Sequence, residues 1–542
     1  MWTQGWRDRV WNRLGWKWDI IVIGGGITGA GILRIAAQLG LKVLLVERND
    51  FGWGTSSRSS KLVHGGMRYL KEGKIFLTRD SVREREKLIK EGPGLIAKLN
   101  FLLACYKDEK PGKYTYKAGL ALYDLLGSTE SFQQYTADDF HMLTPYICAE
   151  GLGDGFSFYD AQTDDARLVL RVILEAVAGG ASAINYTAAE ELLFKDKKVE
   201  GIRIRDLVEE RTSEVYAKVV ISATSVWADE LRVQLGAKPR MRPLRGSHIL
   251  FPAWRLPTSS AITFPHPADR RPVFIFPWEG ATLVGTTDLD HDHPLEDEPQ
   301  ISSDEVSYLM AAVESKFPLL KLTLADVIAT YAGLRPVIGT GKADPSKESR
   351  DHVIWDEKGL ITVTGGKLTT FRLIAIDTLM AAAGRLPGMR EPNKKIPVLD
   401  RIDKKEARKL PVSEEQRVRL IGRYGINASE LIAVAKPVEL EPIPNTKYLW
   451  AELRWASRSE GVVHLGDLLL RRVRLGLLLP EGGKALLPMI RTMCQSELGW
   501  DDDRWKEEES AYLELWRKNY SLPDRKTIAD WHEMSVKKKA KR

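Results

Sequence analysis

The apolar pattern is sharpest between residues 18 and 47. Residues 19–23 are nearly all apolar and β-branched, the pattern of a strand buried on both faces. Residues 30–39 carry apolar side chains at helical spacing, and residues 42–46 form a second apolar strand that ends in Glu47. Between the first strand and the helix stand Gly24, Gly26 and Gly29 in G-x-G-x-x-G spacing. Strand, glycine turn, helix, strand and acid is the order that a dinucleotide site needs. Gly24 permits the tight turn, Gly26 lets backbone approach a pyrophosphate, and Gly29 lets the helix pack close to the strand. The helix N-terminus then faces the phosphates, and Glu47, 18 residues after Gly29, can accept ribose hydroxyls.

Ahead of this core, Trp2, Trp6, Val10 and Leu14 follow an i, i+4 series that Trp18 continues, with Arg7, Arg9, Arg13 and Lys17 between them. On a helix this is an apolar stripe of interfacial composition, which either lies on a membrane or docks on the protein's own body. Downstream, residues 79–91 read as a charged helix with a solvated face, and residues 99–127 as strand, loop and helix. Residues 167–178 have helical spacing stopped by Gly179 and Gly180, and residues 183–185, 199–204 and 215–221 read as strands. Residues 240–330, rich in proline and β-formers, predict an antiparallel sheet with a hairpin at Glu279-Gly280. Residues 302–316 are a helix capped by Ser302 or Ser303, with Glu305 near its start. Residues 360–384 read as strand, double-glycine turn and long helix; beyond Pro387 the sequence turns charged and helical, over 410–424, 446–458 and 465–479. Residues 537–542 are a basic tail.

Composition narrows the class. A chain of 542 residues with 44% apolar content supports two or three domains with ample core. The net charge of +7, from 80 basic and 73 acidic residues, suits anionic substrates or an anionic membrane face without arguing for nucleic acid. Cys105, Cys148 and Cys494 show no ligand spacing and read as reduced thiols of an intracellular protein. No apolar run reaches the roughly 18 residues of a spanning helix, and no signal peptide precedes Trp18. His291 and His293 have metal-like spacing but sit in a charged, proline-flanked loop, so no metal is expected.

The segment from Thr55 to Tyr69 decides which dinucleotide. It is dense in hydroxyls, glycine and cations, then offers His64, Arg68 and Tyr69. That suits a flavin held along its length with a substrate pocket at its far end. Here the chain resembles the FAD-dependent glycerol-3-phosphate dehydrogenases. The resemblance rests on IVIGGGITGAG, TSSRSSKLVHGGMRYL, DDARLVL, RGSHILF, GTTD, GLRP and GGKLTTFR in family order, and on HLGDLLLRRVRLGLL near the C-terminus. It departs at Ser225 and Val226, where the family has a glycine and a proline, which puts the backbone shape of that turn in question.

The resemblance implies an α/β FAD-binding Rossmann-like domain (18–90, 160–239 and 331–386), an antiparallel-sheet substrate domain (91–159 and 240–330) and a C-terminal α-helical domain (387–530). Residues 1–17 would be the membrane-surface helix and 531–542 the tail. FAD, held non-covalently, would lie along Gly24, Gly26, Ile27, Thr28, Gly29, Glu47 and Arg48. It would continue along Thr55, Ser56, Ser57, Ser60, Lys61, Leu62 and His64, with Ala223, Thr224 and Trp227 beside it. At the flavin end come Gly333, Arg335, Gly366, Lys367, Leu368 and Thr369. A helix starting near Leu368 could point its amides at the flavin, where they and Lys367 would stabilise developing negative charge. The implied reaction is oxidation of sn-glycerol 3-phosphate to dihydroxyacetone phosphate, hydride passing from C2 to flavin N5 and electrons to a quinone. A phosphate dianion needs several cations, so Arg68, Arg335, Arg350 and Lys367 are carried over with Tyr69 as substrate contacts. A secondary alcohol needs a base, for which the candidates are His248, favoured because it lies in the substrate sheet, and His64. A cytoplasmic protein on the inner face of the cell membrane is expected, and a homodimer is compatible. The alternatives are an oxidase that uses oxygen, an amine oxidase on the same fold, and a basic flavoprotein that binds nucleic acid with structural FAD.

Overall fold

In the computed structural model, the strands of the described residues fall into two sheets. The described residues are 2–71, 73–107, 109, 112–127, 131–339, 351–402, 405, 408, 410–532 and 534; Arg350, the Arg68 side chain and nearly all of the basic tail lie outside them. The first sheet has β1 (Trp18–Ile23) at its centre, parallel to β2 (Val43–Val46) on one side and to β10 (Thr212–Ser222) on the other. Parallel β7 (Ser182–Ile184) and β18 (Leu360–Thr364) extend it, and antiparallel β17 (Val353–Glu357) closes one edge. The far half of β10 carries an antiparallel ribbon of β8 (Thr187–Lys195) and β9 (Lys198–Asp206). Helices Ile27–Gln38 and Phe371–Ala382 pack so closely that a Cβ on Gly31 would meet the Phe371 ring at 2.8 Å. Ile20, Ile21, Val22, Leu44 and Leu45 are fully buried, as unbroken β-branched and aliphatic runs in a covered parallel sheet must be.

The second sheet holds ten strands. Its spine is β11 (Met241–Pro252), antiparallel to β16 (Ala329–Ile338) from Met241↔Ile338 to Leu250↔Ala329. Around them lie β12 (Ala261–Pro265), β13 (Pro272–Trp278), β14 (Ala281–Gly285) and β15 (Leu289–Asp290). β4 (Ile96–Tyr106), β5 (Gln133–Tyr135), β6 (Leu152–Thr163) and β3 (Leu62–Val63) complete it. The β13–β14 turn is Glu279-Gly280, both left-handed, as the hairpin pattern requires. Two expectations change. The sheet is mixed, because β12 pairs in parallel with β4. Residues 331–338, assigned to the FAD domain, sit in this sheet instead, because Leu334 and Arg335 find their backbone partners on β11. Through β3, the loop after Glu47 also gives two residues to this sheet, so the two sheets share one connecting segment.

The N-terminal stripe is not a membrane-facing surface. Trp2, Trp6, Val10, Leu14 and Trp18 are all buried in the first core. Trp2 stacks on Phe51 at 4.8 Å, and Arg7 Nη1 reaches Asn185 O at 3.0 Å. The helix itself spans only Trp6–Trp11, since Gly5 is left-handed at its start. The apolar i, i+4 series is satisfied by the chain's own body, the alternative that periodicity could not exclude. The charged helix Ile75–Glu91 also departs from a purely solvated face: Ser81, Glu84, Arg85 and Glu91 are buried along it.

The C-terminal helices close over the first domain through ion pairs. Arg471 Nε and Arg472 Nη1 each lie 2.6 Å from Asp50 Oδ2, and Arg167 Nη1 lies 2.6 Å from Glu460 Oε1. The first two come from a π-helical turn, Leu468–Arg472, inside the HLGDLLLRRVRLGLL segment. Trp531, assigned to the tail, still packs against the core to which helix Ser303–Lys316 contributes.

Candidate functional site

The sequence from Gly24 to Gly29 folds into the turn that its spacing predicts. Gly24 has φ +107, and a Cβ there would meet Ala223 O at 2.6 Å; a Cβ on Gly29 would collide with the Gly24 carbonyl. A cleft opens here, lined by Gly24, Gly26, Glu47, Arg48, Thr55, Ser56, Ala223, Thr224 and Trp227 among others. Glu47 is fixed at the end of β2, where its carboxylate accepts from Gly25 N at 2.6 Å and from Asn49 N at 2.8 Å. Burial raises the Glu47 pKa, with those two amides pulling against it. Ser56 Oγ accepts from Ile27 N at 3.0 Å and so joins the loop to the helix N-terminus; Thr28 follows on the same first turn. Ser225 takes φ +57, in the left-handed region that favours glycine, so a side chain stands here at a backbone position that a glycine occupies more readily. Trp227 sends its indole N–H to Leu295 O at 3.1 Å and sets its ring 5.8 Å from that of Trp53, also on the cleft wall. A tight glycine turn, a helix N-terminus and a fixed carboxylate on one cleft fit the pyrophosphate and ribose of FAD.

From the cleft the loop 55–66 runs towards the other candidate residues and touches each group in turn. Thr55 Oγ1 donates to Leu334 O at 2.5 Å. Gly333 lies against Arg58, where a Cβ would strike the Arg58 carbonyl. Ser60 Oγ lies 2.9 Å from His248 Nε2. His64 N donates to Thr369 Oγ1 at 3.1 Å, and Thr369 returns a bond to His64 O at the same distance. Gly66 lies beside Lys367 Nζ and the Tyr69 ring. Gly365 and Gly366, with φ of +79 and +75, turn the chain from β18 into the short 3-10 turn Leu368–Thr370. The loop therefore links His248, His64, Tyr69, Lys367, Leu368 and Thr369 to the cleft. Ser57 and Lys61 point elsewhere. Ser57 Oγ donates to Trp53 O at 3.2 Å, and Lys61 Nζ is spent on Asp165 and Ser57 O, so Lys61 supports the loop rather than reaching the cleft. Leu62, buried, starts β3.

The charges are arranged around these groups. His248 is buried, stacked on Tyr331 with ring centroids 4.6 Å apart, and its Nδ1 has no partner. Burial first, then the charges of Arg335 and Lys61, hold its pKa well below the ordinary histidine value. Arg335 Nη1 lies 2.8 Å from Asp288 Oδ1, and its Nη2 donates to Thr286 Oγ1 at 2.9 Å. Asp288 is in the GTTD segment, and its other oxygen holds Arg271 at 2.6 Å. Lys367 Nζ donates to Ser81 Oγ at 3.0 Å and sits 3.8 Å from the Tyr69 ring centroid. Sequence reading missed a second tier. Asp160 Oδ1 accepts from Gly65 N (2.9 Å), Tyr123 OH (2.8 Å) and Arg85 Nη1 (2.6 Å), fixing the HGG turn. Asp160 stood beside a quoted motif, but its partners lie on helices Ile75–Glu91 and Lys113–Leu125, where nothing in the sequence marked them. Among the described residues no group of acids, histidines and cysteines could hold a metal ion.

Residues 19–374 match the family model described as FAD dependent oxidoreductase, and residues 386–505 match the C-terminal domain of alpha-glycerophosphate oxidase. An aerobic glycerol-3-phosphate dehydrogenase of Staphylococcus epidermidis is 33% identical over 484 residues, 84% of this chain and 86% of that protein. One of Bacillus subtilis is 38% identical over 376 residues, 68% of this chain and 67% of that protein. Among solved structures, glycerol-3-phosphate dehydrogenase from Bacillus halodurans, complexed with FAD, superposes with a TM-score of 0.76 at 27% identity, covering 95% of this chain and 98% of that one. L-alpha-glycerophosphate oxidase from Mycoplasma pneumoniae shares the fold at a TM-score of 0.57 and 18% identity, covering 71% of this chain and 99% of that one.

Proposed function

The chain belongs to the family of FAD-dependent glycerol-3-phosphate dehydrogenases, and from that premise we propose that it oxidises sn-glycerol 3-phosphate to dihydroxyacetone phosphate with non-covalently held FAD. The observation that carries this reading is the match of both parts of the chain.

FAD, when bound, supplies the two-electron acceptor. His248 takes the proton of the C2 hydroxyl, and Ser60 Oγ, 2.9 Å from Nε2, fixes its ring. Its depressed pKa keeps it neutral, and so able to accept, at physiological pH. Arg335 and Lys367, with Tyr69, hold the phosphate; Asp288 orients the Arg335 guanidinium. Anaerobic addition of glycerol 3-phosphate should bleach the flavin, and glycerol should not. Arg335→Ala should weaken substrate binding by roughly 2–5 kcal/mol and leave FAD content unchanged. Equal oxidation of glycerol would end the phosphate-site reading.

The electrons go to a quinone at a bilayer surface. The relatives are named dehydrogenases, which is consistent with an acceptor other than oxygen. No helix among the described residues is long and apolar enough to cross a membrane. With the tryptophan stripe buried, contact falls to the exposed apolar side chains of helix Lys113–Leu125 and of the start of helix Ile75–Glu91. Tyr114 and Leu125 are each 82% exposed and Phe76 73%, with exposed Lys113 and Lys117 beside them. The two helices are joined by Arg85 and Tyr123 at 2.9 Å. Tyr114→Asp with Leu125→Asp should lower binding to anionic vesicles and slow reduction of embedded quinone, with anaerobic bleaching unchanged. Fast peroxide formation in air without quinone reduction would make the protein an oxidase.

A further inference from the structure

Next to the proposed base lies a buried ion pair that none of these steps uses. The side chains of Lys61 and Asp165 are both at 0% exposure, with Lys61 Nζ 3.0 Å from Asp165 Oδ1. The ammonium also donates to Ser57 O at 3.1 Å and faces the rings of Tyr331 and Trp278, 4.6 and 4.9 Å from their centroids. Asp165 Oδ2 accepts from Ser59 N at 3.0 Å and from Ser59 Oγ at 2.8 Å. Residues on both sides of Ser60 are thus tied to one carboxylate, and Ser60 Oγ is left on His248 Nε2. Tyr331, whose ring stacks on His248, sends its hydroxyl to Ser59 O at 2.9 Å. From the C-terminal segment, Arg474 Nη2 donates to Ser57 O at 2.7 Å and lies 3.4 Å from Asp165 Oδ1.

This cluster is costly. Lys61 holds φ +56, a sparsely populated conformation for a residue with a side chain. A buried ion pair is seldom more stabilising than apolar residues of the same volume. Burial and the Arg474 charge push the Lys61 pKa down to about 8, against the pull of Asp165. The arrangement fixes the loop from Ser57 to Lys61, the segment that presents Ser60 to the histidine.

We propose that Lys61, held by Asp165 and Arg474, is a positioning residue for His248: it locks the loop so that Ser60 occupies Nε2 and fixes the imidazole, whose Nδ1 is left without a partner. The proposal rests on the reading of His248 as the base. The charged groups that bear on His248 are Lys61 from the loop and Arg335 from β16; β14 presents only Gly285, and the Tyr331 hydroxyl is kept neutral by burial.

The test compares Lys61→Met, Lys61→Arg, Ser60→Ala and His248→Asn as holoenzymes, by anaerobic flavin reduction with glycerol 3-phosphate across the neutral pH range. Lys61→Met should keep its flavin and its visible spectrum and slow reduction by about tenfold or more, with the loss in kcat rather than KM. Its acid limb should move to higher pH, because losing a nearby cation makes the imidazole easier to protonate; Lys61→Arg should restore most of the rate. Parental rate in Lys61→Met, or a slower rate with an unmoved acid limb, would overturn the proposal. If Lys61→Met does not fold, Ser60→Ala decides: it leaves the ion pair intact and should slow reduction, and a parental rate sinks the proposal. A parental rate in His248→Asn removes the base reading itself. A slow His248→Asn beside parental Lys61→Met and Ser60→Ala removes only the role of Lys61.

Discussion

Ser225 shows how a single residue can carry a backbone geometry for which its side chain is a poor choice. At φ +57 it pays a left-handed penalty of about 1–2 kcal/mol that glycine escapes, against which glycine loses about 0.5–1 kcal/mol in unfolded-chain entropy. Ser225→Gly should therefore leave stability equal or raise it by up to about 1.5 kcal/mol, read from the thermal midpoint at unchanged FAD content. The two later glycines of the turn should separate fold from cofactor. A Cβ on Gly26 meets only Ser56 Oγ, at 3.2 Å, whereas one on Gly29 runs into backbone. Gly26→Ala should thus fold, with apoprotein stability within about 1 kcal/mol of the parent, yet retain FAD poorly; Gly29→Ala should lose both. For His248, the depressed pKa sets a sign. Protonation removes the base only below that lowered value, so the acid limb of anaerobic flavin reduction should fall below about pH 6.5. An acid limb above that value would place the proton on another group.

At the scale of elements, the N-terminal helix exchanges one role for another. Its tryptophans fill the space over Phe51 and beside residues 459–461, where Trp2 N donates to Ser459 O at 3.3 Å. Trp2→Ala or Trp6→Ala should cost about 3–5 kcal/mol in unfolding and leave vesicle binding where it was. A loss of vesicle binding without a loss of stability would return the helix to the membrane. Helix Lys113–Leu125 has two working faces. Inward, fully buried Tyr123 braces Asp160 and through it the Gly65 amide; outward, it exposes Tyr114 and Leu125. That a helix closes the stretch 99–127 was legible in the sequence. That its inner face serves the site was not, because Tyr123 and Asp160 are far apart in the chain.

In the whole molecule the C-terminal helices supply the countercharges of the first domain. Burial alone would raise the pKa of Asp50, but Arg472 and Arg471 outweigh it and hold the carboxyl well below the usual range; Arg423 and Arg474 do the same for Asp164. Because these folded-state values are depressed, their contribution to stability is present above about pH 3.9 and is lost as the pH falls through the folded values. Arg472→Met should cost about 3–5 kcal/mol, seen as a lower thermal midpoint. A chain ended at residue 386 should neither fold nor retain FAD, since Asp50, Asp164 and Asp165 would lose these partners. A truncated chain that kept its flavin would show the clamp to be dispensable.

Local order was already set in the chain: β-branched runs, glycine spacing and capping residues determine β1, the turn at Gly24, the Glu279-Gly280 hairpin and the Ser302 cap. These depend on sterics and hydrogen bonds among neighbours, which a sequence displays directly. The family motifs likewise located the FAD fold and its C-terminal partner. Only the tertiary structure decided which apolar stripe is covered and which is bare, that β16 belongs to the second sheet, and that Lys61 faces Asp165. Burial, strand pairing and ion pairing between distant segments depend on which surfaces meet. Periodicity states that a face is apolar, and the packed chain alone states what lies against it.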